Sequence, residues 1–219
     1  MGTIEPLSTS ILGINYFGDV VFAVSGALTA ARYRMDVVGF VLIGTIAGIG
    51  GGTIRDLLLG RAVWWTQNPS ELILCAVASL ITFMMISYVT DIKIRKTGMV
   101  WADALGLAAF GVVGCHVALG FGAPFVVAVF MGMVTATGGG LIRDVLTNTQ
   151  PMILCGQLYA TAALLGSLSY ATLRYLAVPE IPAEAIACSA AFTLRACAII
   201  FNIHTGPPGE FIRIGKRLS

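Results

Sequence analysis

Long apolar runs separated by short polar breaks organise the chain. Leu72–Thr90 contains no Asp, Glu, Lys or Arg over 19 positions, Ala104–Ile142 none over 39, and Val145–Leu173 none over 29. A membrane-spanning helix needs roughly 20 apolar residues. The 39-residue run is too long for one span, and Gly120-Phe121-Gly122-Ala123-Pro124 divides it, because Gly and Pro punctuate helices. The apolar–polar alternation of a transmembrane strand is absent. Irregular backbone cannot face lipid, so helices are the expected spanning form. The pattern predicts an all-α membrane protein, a single membrane domain over residues 1–219 with seven transmembrane helices at about 14–31, 37–59, 71–90, 99–119, 124–147, 152–175 and 184–203. The seventh carries Arg195 near its middle.

Composition agrees. Charged residues make up 11% of the chain and hydrophobic residues 57%, against about 25% charged in a soluble domain. The basic residues are dispersed, which gives no footprint for nucleic acid. Met1–Ser10 lacks the basic start of a signal peptide, so the first helix is expected to be retained. Cys75, Cys115, Cys155, Cys188 and Cys197 all fall in apolar stretches and form no CxxC pair, which reads as small buried hydrophobes. His116 and His204 belong to no spaced Cys/His set of the kind that binds a metal, so no structural metal is expected. Lys and Arg in short loops set orientation. With the N-terminus outside, the inner segments hold Arg32, Arg34, Lys93, Arg95, Lys96, Arg213, Lys216 and Arg217, and the outer loops only Arg61 and Arg174. The expected topology has the N-terminus outside and the C-terminus in the cytoplasm.

A signature occurs twice. Gly50-Gly51-Gly52-Thr53-Ile54-Arg55-Asp56 returns 88 residues later as Gly138-Gly139-Gly140-Leu141-Ile142-Arg143-Asp144. Upstream, Asp19 and Asp103 each open a glycine-containing helix, 84 residues apart. A four-residue insertion between Asp and Arg in the second unit reconciles the two offsets. The units cover about 14–90 and 99–175, with the helix at about 184–203 outside them. Each holds three helices, an odd number, so the second enters the membrane from the opposite side. This is an inverted 3+3 repeat plus a seventh helix, a plan common in transporters. It places Asp19 with Arg55 toward one mouth and Asp103 with Arg143 toward the other, and it makes residues 7–13 interfacial.

Three consecutive helical glycines cost about 1 kcal/mol each relative to Ala in water, so two such triplets ask for a reason. One is close helix packing. The other is a bent or broken helix whose freed carbonyls, at Thr45–Ile49 and Thr135–Gly138, face a water-filled path and replace part of a cation's hydration shell. Thr45, Thr53, Thr135 and Thr137 would add hydroxyls. Arg55 and Arg143 read either as snorkelling helix ends or as internal charges. Adjacent helical residues do not face each other, so Arg55 is expected to pair with Asp19 and Arg143 with Asp103. That leaves Asp56 and Asp144 free to line a path. Arg195 needs a partner or water. No phosphate-binding loop, nucleophile elbow or metal cluster is present, so an enzyme is not expected.

The paired Gly-Gly-Gly-x-x-Arg-Asp segments in a seven-helix chain resemble the prokaryotic trimeric intracellular cation (TRIC) channels, a family also labelled as a glycine-transporter-like domain. The resemblance covers about residues 10–205. It implies a homotrimer in the bacterial inner membrane, N-terminus periplasmic, with one pore per subunit. It implies permeation by monovalent cations, chiefly potassium and also sodium, with no cofactor. The second and fifth helices would line the pore, kinked at Gly50–Gly52 and Gly138–Gly140, with Arg55, Asp56, Arg143 and Asp144 beside the kinks. Animal members carry Lys-Glu-Val where this chain has Ile54-Arg55-Asp56 and Ile142-Arg143-Asp144, so no phosphoinositide role is implied. A secondary transporter of a small solute such as glycine is the alternative reading of the same repeat.

Overall fold

The computed structural model describes residues 8–86, 88, 91–204 and 213–214. Leu7, Lys216, Arg217 and the side chain of Arg213, all used above, fall outside the described residues. Within them the protein is all-helical apart from one small strand pair. The helices are α1 (Thr9–Arg32), α2 (Val37–Leu58), α3 (Trp64–Gln67), α4 (Ser70–Ile86), α5 (Ile92–Gly120), α6 (Phe125–Leu146), α7 (Tyr159–Tyr175) and α8 (Glu180–Ile200). Five of the eight, α1, α2, α5, α6 and α8, are long and apolar enough to cross a membrane, and α4 is a shorter apolar helix. Ile203–His204 pairs antiparallel with Arg213–Ile214.

Local chemistry sets the ends. Ser8 caps α1, Asp36 accepts from Gly39 N at 2.9 Å to cap α2, and Asp91 accepts from Lys93 N at 2.7 Å to cap α5. These side chains satisfy amide groups that a helix start leaves unpaired. The cap at Asp91 starts α5 seven residues before the expected position, so Lys93, Arg95 and Lys96 lie on a helix and not in a loop. Gly122, at φ 83°, ends the α5 segment and Pro124 precedes α6, as the Gly/Pro break implies. The expected helix at 152–175 is shorter. Met152–Leu154 forms one 3₁₀ turn, and Gly156 (φ 67°) and Leu158 (φ 48°) are left-handed, so α7 begins only at Tyr159. A right-handed helix cannot propagate through such residues. The short α3 had no periodic signal to reveal it.

Helices α1 and α5 cross at the centre of the molecule, and α2 crosses α6 beside them. Phe22 and Phe110 stack with centroids 5.3 Å apart. Phe22 fills the space beside Gly106, and Phe110 the space beside Gly18. At the second crossing, a methyl on Gly51 would strike the Thr135 carbonyl, and a methyl on Gly139 would strike the Ala47 carbonyl. Ile142 Cδ1 lies against Gly50, and Ile54 Cδ1 against Gly138. Each contact is thus repeated with the two halves exchanged, and the exchanged residues are always 88 apart.

This register corrects the sequence reading. There is no four-residue insertion: a uniform offset of 88 matches Asp103 to Asn15 and matches Asp19 to Leu107. Asn15 and Asp19 are one helical turn apart on one face, which is why the two acids looked equivalent in the sequence. The placement of residues 7–13 as interfacial rested on that equivalence and loses its basis. Ile11 is fully buried inside the protein. The same register matches Glu71 of α4 to Tyr159 of α7. Helix α8 packs on α5 and α7 and has no counterpart in the first half.

Candidate functional site

The glycine triplets lie within unbroken helices. Both α2 and α6 continue through Gly50–Gly52 and Gly138–Gly140, so of the readings of the triplets the broken helix is not the one present. The triplets let the two backbones touch: no side chain fits between Gly51 and the Thr135 carbonyl, or between Gly139 and the Ala47 carbonyl. Small residues permit this approach in membrane helices. The threonine hydroxyls are mostly engaged by their own helices. Thr53 donates to Ile49 O at 2.8 Å, Thr135 to Met131 O at 2.7 Å and Thr137 to Met133 O at 2.9 Å. Thr45 Oγ1 is buried with no hydrogen-bond partner.

One turn beyond each triplet sits an Arg-Asp pair. Arg55 Nε donates to Asp56 Oδ1 at 2.8 Å, and Arg143 Nε to Asp144 Oδ1 at 2.9 Å. Neighbouring residues therefore do pair, and Asp56 and Asp144 are not free. Both arginines lie in the last turn of their helix. The second carboxylate oxygen holds the following loop: Asp56 Oδ2 accepts from Trp64 N at 3.2 Å, and Asp144 Oδ2 from Met152 N at 3.0 Å. Asp56 also lies 3.6 Å from Arg61 Nε.

Beyond this shared unit the halves diverge. Arg143 is fully buried and reaches Asp103 Oδ1 at 2.7 Å, the pairing the spacing implies, and Ser25 Oγ at 2.6 Å. Arg55 makes no ion pair with Asp19, contrary to expectation; its pairing is with Asp56. Asp19 is held by Asn15 Nδ2 at 3.2 Å, and the same amide donates to Glu71 Oε1 at 2.7 Å. Asn15, Asp19, Thr53, Arg55, Asp56 and Glu71 line a small cavity of about 20 Å³. Glu71 and Asn15 escaped the sequence reading, because Glu71 ends just outside a charge-free run and Asn15 carries no charge. The 88-residue register would have found both, opposite Tyr159 and Asp103.

Arg195 is fully buried on α8. It donates to the Gln157 carbonyl, and its guanidinium carbon lies 5.1 Å from the centroid of the Tyr159 ring. Five cysteines are free. Among the described residues no group of three or more His, Cys, Asp or Glu is placed to hold a metal ion.

Comparison with known proteins matches this architecture to a family. The sequence profile described as glycine transporter matches residues 12–87 and again 100–175. The two matches are 88 apart, the offset read from the reciprocal contacts. The chain aligns with the structure of the TRIC channel orthologue from Rhodobacter sphaeroides with a TM-score of 0.85 and 40% identity, covering 89% of this chain and 100% of that one. The chain belongs to the prokaryotic TRIC family. A prokaryotic TRIC channel determined in 0.5 M KCl aligns with a TM-score of 0.83 and 31% identity over 90% of this chain and 98% of that one. The UPF0126 inner membrane protein YadS of Escherichia coli is 36% identical over 192 residues, 87% of this chain and 92% of that one. The solved structures to which this chain is similar are described as TRIC channels.

Proposed function

We propose that this protein is a monovalent cation channel of the bacterial inner membrane, conducting chiefly potassium, and assembled as a homotrimer with one pore per subunit. The observation that carries the reading is the α2–α6 crossing at paired glycine triplets, each followed by a buried Arg-Asp pair, in a chain similar along most of its length to TRIC channels. The crossing places a charged Arg-Asp pair one turn beyond each triplet in an otherwise apolar helix pair, and charged groups within membrane helices mark ion pathways. Gly50, Gly51, Gly52, Gly138, Gly139 and Gly140 act as hinges in this reading. Asp19, Glu71 and Asp56 gather carboxylate oxygens on one side beside Arg55 and Arg61, the oxygen-donor type that suits cations.

Seven membrane spans follow if α4 and α7, each 17 residues, join the five longer helices. At 1.5 Å per residue they are about 25 Å long, close to the hydrocarbon thickness of about 30 Å. Three spans per half then invert the second half against the first, with a two-fold axis in the membrane plane. The reciprocal contacts support that relation. The N-terminus is periplasmic and the C-terminus cytoplasmic, on the distribution of Lys and Arg.

Purified protein in planar bilayers tests the function. Discrete unitary currents are expected in symmetric potassium chloride, with a reversal potential under a salt gradient on the cation side. Saturable glycine uptake into proteoliposomes with no unitary current would overturn the channel in favour of a secondary transporter.

A further inference from the structure

Helix α8 stands outside the repeat, yet it buries a full guanidinium against the second half of it. Arg195 makes no salt bridge among the described residues. Its Nη1 donates to the Gln157 carbonyl, its Nη2 lies 3.5 Å from Gln157 Oε1, and its planar head sits over the Tyr159 ring. Placing an arginine in an apolar helix is costly, and this one spends its contacts on two residues of a single short segment. That segment is backbone-strained: Leu158, between Gln157 and Tyr159, is left-handed at φ 48°. A non-glycine residue holds such a conformation only where its surroundings impose it.

Tyr159 carries the effect onward. Its hydroxyl, buried beside Asp103, lies against Gly140, where a Cβ would sit 2.7 Å from Oη, 3.2 Å from Asp103 Oδ1 and 3.6 Å from Arg143 Nη2. The third glycine of the second triplet is thus enclosed by the tyrosine, the aspartate and the arginine of the ion-pair layer. A bend of α6 at Gly140 toward α7 would meet the tyrosine hydroxyl. In the first half the place of Tyr159 is taken by Glu71, Gly52 has only the Arg55 guanidinium within 4 Å, and no eighth helix covers it.

We propose that Arg195 is a positioning residue: by holding Gln157 and the Tyr159 ring it braces the α6 hinge at Gly140 and sets the closed state of the second mouth, leaving the first mouth unbraced. The proposal rests on the channel reading, and its test separates the two. Arg195→Gln removes the cation and the planar fork. Cys155, half-buried two residues before Gln157 with Sγ 3.3 Å from the Pro151 carbonyl, reports on the same segment without any current. The expected result is several-fold faster maleimide labelling of Cys155 in Arg195→Gln, read by peptide mass spectrometry on intact detergent-solubilised protein. It is accompanied in bilayers by a several-fold higher open probability at unchanged unitary conductance. Arg195→Lys, which keeps a cation over the ring, should restore part of both. Labelling and open probability equal to the unsubstituted protein would overturn the proposal, as would a change in unitary conductance, which would place Arg195 on the ion path. Should Arg195→Gln not fold, Tyr159→Phe, which keeps the ring and removes the hydroxyl at Gly140, carries the test: open probability rises if the brace acts through that hydroxyl, and an unchanged value sinks it. Faster Cys155 labelling with no current even from the unsubstituted protein leaves the brace standing and fails the channel.

Discussion

Arg143 and Arg55 occupy equivalent places in the two halves but are held differently. Arg143 is caught between Asp103, Asp144 and Ser25 with no exposure to solvent. Removing Asp103 leaves the buried guanidinium with Asp144 as its one carboxylate, and breaking a buried ion pair costs up to about 3–5 kcal/mol. Asp103→Asn should therefore lower thermal stability in detergent steeply. Asp19→Asn removes a carboxylate that has no ion pair and should cost far less; equal losses would contradict the register that matches Asp103 to Asn15. Asn15 is the less obvious residue. Its amide separates two carboxylates, and Asn15→Leu would leave Asp19 and Glu71 facing each other without a donor. The expected penalty is about 1–3 kcal/mol, measured by the shift in unfolding midpoint, and Glu71→Gln in the same chain should recover part of it. The importance of Arg55 and Arg143 was legible from their repetition. The pairing of Arg143 with Asp103 was legible too; the partner of Arg55 was not, because a side chain of arginine length reaches a neighbour, a turn or another helix with equal ease.

At the scale of the element, the crossing of α2 and α6 depends on two glycines with no room for a methyl group. Gly51→Ala and Gly139→Ala each drive a Cβ into a backbone carbonyl, which cannot move as a side-chain tip can. Overpacking of this kind costs about 1–3 kcal/mol and should separate the helices, lowering both folded yield and current. Gly13→Ala is the control, since nothing lies within 4 Å of the added carbon. It should be neutral or stabilising by up to about 1 kcal/mol, as expected of Gly→Ala inside a helix. A Gly13→Ala variant as damaged as Gly51→Ala would show that the effect is not one of close approach. Hydropathy located every long helix, but not its ends. The Ser8 and Asp91 caps and the left-handed Leu158 moved helix starts by five to seven residues, because an end is decided by a few hydrogen bonds that carry little hydrophobic signal.

For the molecule as a whole, two copies of one unit meet face to face, and the extra helix breaks their equivalence. A prediction belongs to this scale: charge neutralisation in the first half, as in Glu71→Gln, should lower cation-over-anion preference in bilayer reversal potentials more than Tyr159→Phe does in the second. Equal effects would mean that the mouths are not distinguished by charge. By itself the sequence determined the membrane solvent, the helical class, the doubled glycine-Arg-Asp signature and the residues worth asking about. These follow from composition and local period, which act along the chain. Only the tertiary structure decided the uniform register of 88, the pairing of Arg55 with Asp56 and not with Asp19, the unbroken crossing at the triplets and the place of Arg195 over Tyr159. Those depend on which helix faces meet, and one turn of helix, four residues, leaves the hydrophobic pattern unchanged while exchanging Asn15 for Asp19 at the interface.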